Sequence, residues 1–477
     1  MTLHRFIAWS SLAIVGFVVT PAEGQDATRI PLLSGSNDIT ILRDTRGITK
    51  EELKVAQGKF QNFAKYYADV ISHPLIHKAA QDPGLKQDAT GRDIPTVDTI
   101  IKSLDRFILE PNPYVKTSSD NTNPKVNIHN ADYIREMGFA LDAALKPLVD
   151  NHPERVVRIN AARLYAATCL SGANAHWPTV TGWVSNPNTP TEIKYYALQA
   201  AANLLDAYDI FDYKSRRHAF DENPRGGADK KIGQLIAAIQ ECVTNPNALV
   251  AIPDGTTPTP DQLAVVGFVR KQAIKSLGRV RFVALPGPTG ELIYPAHTLV
   301  RVCMSDPKLT PPPSPAESAE AVIGLCNMAP SRNTTPVKGF NADAMEEAIA
   351  AGIINFAGAR ASDPLNRSLP WRGYASRISD AFKSWRPLFD PLYDPTQATK
   401  FDVGAIPKPI TDIISRVQTG VLAPIEKVTG TGQPDLSVRV DIEGLKAFLK
   451  QMQNDPKRSG MLVTGVPSTV LPKLEVK

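Results

Sequence analysis

Two histidines spaced four residues apart, His73 and His77, are the first candidates for chemistry in this chain. On a helix this spacing would place both imidazoles on one face, as a zinc site requires. Pro74 lies between them, however, and no third ligand is evident, whereas a zinc site uses at least three protein ligands. We therefore expect a helix end with two exposed histidines, and the sequence predicts neither a metal site nor a cofactor.

Carboxylates that could perform acid–base catalysis are not arranged in any recognisable pair. Glu346 and Glu347 share a segment with the apolar residues Met345, Ile349 and Ile353, so we expect them on the solvated face of a helix. The Gly-x-Ser-x-Gly turn of many hydrolases and the phosphate-binding loop ending in Gly-Lys-Ser/Thr are both missing from the sequence. The sequence thus favours a non-catalytic protein without excluding an enzyme.

An enzymatic interpretation comes from the region after Leu365, where aromatic and acidic residues are concentrated. The residues concerned are Trp371, Tyr374, Trp385, Tyr393, Asp380, Asp390 and Asp394. Carboxylates that flank a glycosidic bond are the usual catalysts of its cleavage, and some helical toroids line a groove with carboxylates and aromatic rings. The alternative function is therefore an extracytoplasmic enzyme on a helical scaffold, such as a polysaccharide-acting hydrolase or lyase.

The densest cluster of aromatic and cationic side chains lies in the charged, glycine-rich segment 209–229. Its members are Phe211, Tyr213, Arg216, Arg217 and His218. An insertion between helices projects from one face of a repeat protein, and such insertions often form binding surfaces. A tolerated surface loop is the alternative, because loops accept insertions at little cost. These five residues are the candidate binding site for a protein partner.

Tryptophans and cysteines could also serve binding or redox chemistry, but folded proteins mostly bury both. We expect core packing for Trp177, Trp183, Trp371 and Trp385 rather than a role as partner anchors. The four cysteines, Cys169, Cys242, Cys303 and Cys326, lie in apolar helical segments, which favours small buried side chains. Export would permit disulfides, and four cysteines allow three pairings. Cys303 and Cys326, on neighbouring segments, are the favoured pair if a bridge forms.

Residues 1–24 have the pattern of an export signal. Two basic residues precede the apolar run 6–19, and the small residues that signal peptidase selects follow at Ala22 and Gly24. A helix that spans a bilayer needs about 20 residues, so the run is too short for the alternative, an uncleaved anchor. We expect cleavage after Gly24 and an exported protein, periplasmic or secreted, without a stable membrane span.

The composition is typical of a globular chain with many short helices. Hydrophobic residues make up 43% of the chain and charged residues 21%, which allows a sizeable core. The 40 prolines, together with abundant alanine, favour helices with proline-marked ends over a large sheet. The net charge of +5 is spread along the chain without a concentrated basic face, so we expect no nucleic-acid partner.

Apolar residues that recur every three or four positions predict an all-α fold. After an extended lead-in over 25–48, an N-terminal helical unit occupies 49–115, and a capping box formed by Thr49 and Glu52 opens its first helix. Further helices are predicted over 130–149, 154–170, 191–208, 230–243, 261–282, 295–304, 316–328 and 341–359. Short connections between helices make neighbours pack antiparallel.

Several of these helices share an internal pattern. The residues from Val269 to Gly278 begin with Val-Arg, continue with a small residue and end in Leu-Gly. The first part recurs from Val157 and the last part from Ala319 to Gly324. Corresponding alanines are separated by 40, 72 and 46 residues; they are Ala161, Ala201, Ala273 and Ala319. Helical repeats have periods near 40–47 residues, and the insertion 209–229 accounts for most of the excess in the longest gap.

In these motifs the chain resembles the HEAT and armadillo-like repeat family over residues 130–360. The second helix of a HEAT unit typically reads Val-Arg, two variable residues, an alanine pair and Leu-Gly. The Val157 segment lacks the final glycine, and the Ala319 segment lacks the opening Val-Arg. The resemblance implies an α-solenoid of stacked antiparallel helix pairs, in which no unit is stable alone. An irregular helical domain with alanine-rich packing faces is the alternative.

The C-terminal part of the chain is less regular. We expect a mixed capping region over 361–455, with a short strand over 436–440, and a flexible tail over 456–477. The expected function is that of an exported, non-catalytic helical-repeat scaffold or binding protein, which presents an extended surface to a protein partner.

Overall fold

The computed structural model describes residues 28–33, 36–44, 50–108, 129–210, 228–253, 256–328, 339–362, 369–389, 408–427, 439–455 and 458–472. The predicted export signal over 1–24 lies outside these residues. The described part of the chain is 70% helical and 3% strand, which confirms the all-α prediction. None of its helices combines the length and the apolar character needed to cross a membrane.

Among the described residues, five helices precede the middle of the chain. They are α1 (Ser36–Asp44), α2 (Lys50–Val55), α3 (Gln57–Ile71), α4 (Pro74–Gln81) and α5 (Val97–Ile108). The expectation of an extended lead-in over 25–48 is wrong for 36–44, because Ile39 is buried and α1 packs on α3. The sequence around α1 has no sustained helical spacing of apolar residues, so it did not predict this helix.

The middle of the chain follows the predicted helices closely, with one addition. Its helices are α6 (His129–Asn151), α7 (Arg155–Thr168), α8 (His176–Ser185), α9 (Thr191–Ile210), α10 (Ala228–Thr244), α11 (Pro260–Leu277), α12 (Pro295–Cys303), α13 (Pro315–Cys326) and α14 (Ala342–Ser362). Helix α8 was not predicted, since it is short and contains Pro178 and Gly182. A two-residue antiparallel ladder joins β1 (Leu285–Pro286) to β2 (Leu292–Ile293).

The C-terminal region consists of α15 (Trp371–Phe389), α16 (Lys408–Val417), a π-helical turn over Gln418–Leu422, α17 (Ala423–Glu426) and α18 (Ile442–Gln453). The predicted strand over 436–440 falls mostly outside the described residues, and 439–440 are irregular. The prediction of a flexible tail is wrong for 458–472. Leu462 and Val463 are buried there, and the Asn341 side-chain amide donates to the carbonyls of Ser459 and Met461.

The helices from α6 to α15 pack in sequence order. The even-numbered helices α6, α8, α10, α12 and α14 each contact the next of their series, and so do the odd-numbered helices α7, α9, α11, α13 and α15. Contacts also join α6 to α7, α8 to α9, α10 to α11, and α12 to α13. At the two ends, α3 packs on α6 and α5 on α7, while α14 packs on α16 and α18. Each helix therefore buries apolar surface against its neighbours along the chain.

The backbone at the C-terminal end of α11 contacts that of α13 where each segment carries a glycine. A methyl group added at Gly278 would lie 2.8 Å from the Gly324 Cα. A methyl group added at Gly324 would lie 2.7 Å from both the Gly278 Cα and the Leu299 Cδ1. The two glycines belong to the Leu-Gly and Ile-Gly ends of the sequence pattern, so the pattern marks a contact between backbones.

A buried ion pair fastens the same two helices at another point. The Arg270 guanidinium donates to both carboxylate oxygens of Glu317, at 2.7 and 3.2 Å, and to the carbonyl of Pro311 at 2.8 Å. Glu317 also accepts from the backbone N–H of Ser314 in the capping box that begins α13. Both side chains are almost fully buried, so each depends on the other for compensation of its charge.

Substituting the contacting glycines will destabilise the protein, whereas an equivalent substitution elsewhere on α11 will not. Gly278→Ala and Gly324→Ala each force the two backbones apart, at a cost of about 1–3 kcal/mol. Gly267→Ala is the matched control, because a methyl group there meets nothing within 4 Å and alanine favours a helix by about 1 kcal/mol. Chemical unfolding of the three variants measures the differences. Equal stability of Gly278→Ala and Gly267→Ala would contradict the close contact.

Candidate interaction surface

Helix α11 begins at a capping box that fixes which of its faces is buried. The Thr259 hydroxyl accepts from the backbone N–H of Gln262, and the Gln262 side chain accepts from that of Thr259. Along the helix that follows, the apolar residues Val266, Val269 and Ala273 lie on one face and are buried in the core. The opposite face is left open to solvent, and its residues form the candidate surface described next.

An exposed aromatic pair lies at the N-terminal half of that face. The ring of Phe268 is 55% exposed and stacks on Tyr195 of α9, with centroids 5.0 Å apart and planes 18° apart. Val265, one turn earlier, is also exposed, and the ammonium of Lys271 lies over the Phe268 ring at 5.7 Å. A large apolar side chain held in place by stacking, yet open to water, is a feature of binding surfaces.

Basic residues continue the same face towards the C-terminal end of α11. Lys275 follows Phe268 by seven residues, which places the two on one side of the helix about 10 Å apart along its axis. Arg279 comes one turn later and contacts Asp206 of α9, Nη1 to Oδ1, at 3.3 Å. Lys275 is exposed, and no described carboxylate lies within ion-pair distance of its ammonium. We call Val265, Phe268, Lys271, Lys275 and Arg279 the α11 stripe.

A pocket of about 270 Å³ lies where the α11 stripe meets α13 and α15. Its lining comprises Lys275, Gly278, Arg279, Glu320, Ile323, Gly324, Asn327, Arg377, Asp380 and Ala381. The contacting glycines contribute to it, because they carry no side chains that would fill the space. The close approach of α11 and α13 thus creates both a helix contact and a recess beside the basic end of the stripe.

Most charges around the pocket already have partners. Arg377 donates to both carboxylate oxygens of Glu320, at 2.7 and 2.6 Å, and this hydrogen bonding raises the pKa of Arg377. Asp380 accepts from Lys383 at 2.8 Å. Lys275 is the pocket-lining cation for which the described residues supply no ion pair. An anionic group entering the pocket would therefore meet Lys275 without first breaking an ion pair.

The binding cluster predicted from the sequence falls outside the described residues. Helix α9 ends at Ile210 and α10 begins at Ala228, and Phe211, Tyr213, Arg216, Arg217 and His218 lie between these limits. The α11 stripe was not predicted, although a signal for it was present. Phe268, Lys271 and Lys275 recur at the three- and four-residue spacing of one helix face, a mixture of aromatic and basic residues that no core face would carry.

The residues of the enzymatic interpretation do not line this pocket together. Trp371, Tyr374 and Trp385 are buried in the core, as are Trp177 and Trp183. Asp380 is exposed on α15 and paired with Lys383, while Asp390, Tyr393 and Asp394 lie outside the described residues. The prediction that the tryptophans pack in the core is confirmed, and the described aromatic rings form no open groove with carboxylates.

The cysteines are small buried side chains, and all four are free. Cys303 and Cys326, the favoured pair if a bridge forms, carry separate thiols in this structure. Burial raises the pKa of the Cys242 thiol to about 12 and that of the Cys303 thiol further. Cys303 packs close to Gly352 of α14, where an added methyl group would come within 3.0 Å of its sulfur. These thiols fill space between helices.

The expectation of two exposed histidines is wrong as well. His73 is the N-terminal cap of α4, where its Nδ1 accepts from the backbone N–H of Leu75, and it is buried. His77 is buried against Asn160 of α7, and burial lowers its pKa. The described residues contain no group of three or more His, Cys, Asp or Glu side chains placed to hold a metal ion.

A buried polar network joins α6, α7 and α8. The Tyr165 hydroxyl donates to the Asp142 carboxylate, which also accepts from Thr179 at 2.9 Å. Because the Tyr165 proton is directed at Asp142, its oxygen accepts from Nδ1–H of His176, and the neutral His176 ring carries its proton on Nδ1. Complete burial lowers the pKa of His176 to about 3, which keeps the ring neutral. The network orients three helices.

Glu346 and Glu347 are buried, which corrects the expectation of a solvated face. Glu347 accepts from both Nε and Nη2 of Arg458, each at 2.6 Å, and from the Gln453 amide at 3.1 Å. Among the residues that the structure describes, Glu346 has no such partner. Burial, with the negative charges of Asp343 and Asp412 as smaller causes, raises its pKa to about 8. The neighbouring carboxyls thus have different environments, since Glu347 is paired with a cation whereas Glu346 is mostly protonated at neutral pH.

Separate replacement of these two glutamates by glutamine will change stability in opposite directions at pH 8. The folded protein holds a proton on Glu346 that the unfolded chain releases, so stability falls as the pH rises from about 4.5 to 8. Glu346→Gln will remove this fall and raise the Tm at pH 8. Glu347→Gln will leave Arg458 without its anion and lower the free energy of unfolding by about 3 kcal/mol.

Thermal unfolding at pH 5, 6.5 and 8 tests both expectations. The wild-type protein should lose stability across this range relative to Glu346→Gln, and Glu347→Gln should be the less stable variant at pH 8. If the Tm of Glu346→Gln fell with pH as steeply as that of the wild type, the protonated state of Glu346 would be ruled out.

Comparisons of the chain with protein-family models, with curated proteins and with solved structures give no match.

Proposed function

We propose that this chain is an exported, non-catalytic HEAT-like repeat protein, in which stacked helix pairs form an α-solenoid that binds a protein partner. The observation that carries the proposal is the packing of α6 to α15 in sequence order, each helix against the next but one. Repeat arrays have this property, because each unit contacts only its neighbours and hides its apolar face against them. Export rests on the sequence pattern of residues 1–24.

Repeated links between each helix and the helix two places earlier support the repeat interpretation. In each, a side chain in or directly after one helix donates to a backbone carbonyl in or directly after the earlier helix. The links are Asn203 to Ala166 at 2.7 Å, Ser276 to Leu198 at 2.7 Å, Asn327 to Gly278 at 3.3 Å and Asn355 to Cys303 at 2.8 Å. One kind of bond recurs from α7 to α14, as expected for units that repeat the same packing.

An ion pair between one helix and the first turn of the helix two places later also recurs. Arg270 of the Val-Arg motif on α11 pairs with Glu317 of α13 at 2.7 Å. On α7 the corresponding cation is Arg155 rather than the motif residue Arg158, and its Nε donates to Glu192 of α9 at 2.6 Å. Burial raises the pKa of Glu192, but backbone hydrogen bonding and the hydrogen bond and charge of Arg155, with a smaller contribution from Arg158, lower it overall. The ion pair therefore recurs between corresponding helices, although Arg155 forms it on α7.

The surface for the partner is the α11 stripe with the adjoining pocket. A scaffold works by presenting exposed side chains on a frame that does not move, and α11 is fixed to α9, α10 and α13. Phe268 is the natural anchor, because a stacked and exposed ring contributes much contact area at little cost in conformational freedom.

A photoreactive phenylalanine analogue at position 268, in the full-length protein expressed in its own cells, tests this proposal. We expect illumination to produce a specific protein adduct, because the partner contacts the ring. The same analogue at Phe139 of α6 is the matched control, since this phenylalanine is 51% exposed against 55% for Phe268. Absence of an adduct at 268, or equal adducts at both positions, would contradict a binding site on α11.

A further inference from the structure

We propose that the α11 stripe recognises an acidic protein segment carrying an aromatic or aliphatic anchor about 10 Å from a carboxylate. This inference rests on the proposed function and specifies the chemistry of the partner. It combines two features at opposite ends of one helix face, the exposed ring of Phe268 and the ammonium of Lys275 beside the pocket, for which the described residues supply no ion pair.

The aromatic end of the stripe selects an apolar side chain. Val265 and Phe268 are exposed, and Tyr195 supports the ring from α9. An apolar group that covers them removes carbon surface from water, which is favourable in proportion to the area covered. Lys271, whose ammonium lies over the ring, borders this patch and attracts negative charge to its edge.

The basic end selects a carboxylate. Lys275 and Arg279 line the pocket, and the charge of Arg279 is shared with Asp206 across 3.3 Å. The side chain of Asn327 points its amide at the Gly278 carbonyl within the same recess. Glu320 and Asp380, the acids of the lining, are each held by a cation from α15, so they leave Lys275 available. A carboxylate in the pocket would pair with Lys275, to which the described residues supply no anion.

The distance between the two ends sets the spacing of the ligand's groups. Seven helical residues separate Phe268 from Lys275, a rise of about 10 Å. An extended segment covers that distance in about three residues, and a helical segment in about seven. The ligand therefore has its anchor and its acid either three residues apart in an extended chain or seven apart in a helix.

A protein segment fits this surface better than an acidic polysaccharide. Sugars bind aromatic residues through an open ring face, but the Phe268 ring is already stacked on Tyr195 and approached by Lys271. A polysaccharide would also present charge along its whole length, whereas one end of the stripe carries the apolar Val265 and Phe268 and the other end carries Lys275 and Arg279, with Lys271 between them. This asymmetry matches a segment with one apolar and one acidic group.

A random copolymer of glutamate and tyrosine is a suitable probe, because it contains both groups at many spacings. We expect the full-length protein to bind it about tenfold more tightly than polyglutamate of equal length, and less tightly as salt is added. Phe268→Ala and Lys275→Glu should each weaken binding of the copolymer about fivefold or more. The matched controls are Phe139→Ala and Lys450→Glu, exposed residues on α6 and α18, which should change it less than twofold.

Three results would overturn the inference. The first is failure of the wild-type protein to bind the copolymer. The second is that the control variants and the stripe variants bind the copolymer equally well. The third is that the protein binds heparin as tightly as the copolymer and that Lys275→Glu weakens both equally. Heparin binding of that kind would assign the stripe to acidic polysaccharides. A protein adduct at position 268 together with no copolymer binding would leave the proposed function standing and remove only the acidic-segment assignment.

Discussion

Helices in this protein are held by contacts on two or more sides, and this constraint determines most of its other features. Helix α13 lies between α11, α12, α14 and α15, and almost every residue from Ala316 to Cys326 is buried. A charged side chain on such a helix is buried, and it is tolerated only where another buried residue pairs with it. Glu317 and Glu320 are therefore paired with Arg270 of α11 and Arg377 of α15. The same crowding explains the glycines, since two backbones that come this close leave no space for a side chain.

The position of the candidate surface follows from this packing. Helix α11 contributes Arg270 and Gly278 to the contact with α13, and it presents Phe268 and Lys275 to solvent from its other side. Rigid attachment of its buried face keeps the exposed side chains at fixed distances from one another. Less conformational entropy is then lost when a partner binds, because the side chains of the surface are already ordered.

The helices themselves could largely be predicted from the sequence, because apolar spacing and proline-marked ends are local signals. The sequence pattern also marked Gly278 and Gly324, but their contact with each other was visible only in the structure. What could not be predicted depends on residues far away in the chain. The spacing of Glu347 within its own helix predicts a solvent-facing position, yet Arg458, 111 residues later, covers it and pairs with its charge. Phe268 is a different case, because its apolar neighbours suggest a core position although its spacing from Lys271 and Lys275 indicates an exposed face.

The distances between spin labels on successive helices test the stacked arrangement most directly. Cysteines introduced at the exposed positions Val156 of α7, Ala264 of α11 and Ser376 of α15 can be labelled selectively, because the native thiols are buried. Neighbouring helix axes lie 8–10 Å apart, so we predict about 20 Å from Val156 to Ala264 and about 40 Å from Val156 to Ser376. A Val156–Ser376 distance no longer than the Val156–Ala264 distance would contradict the stack.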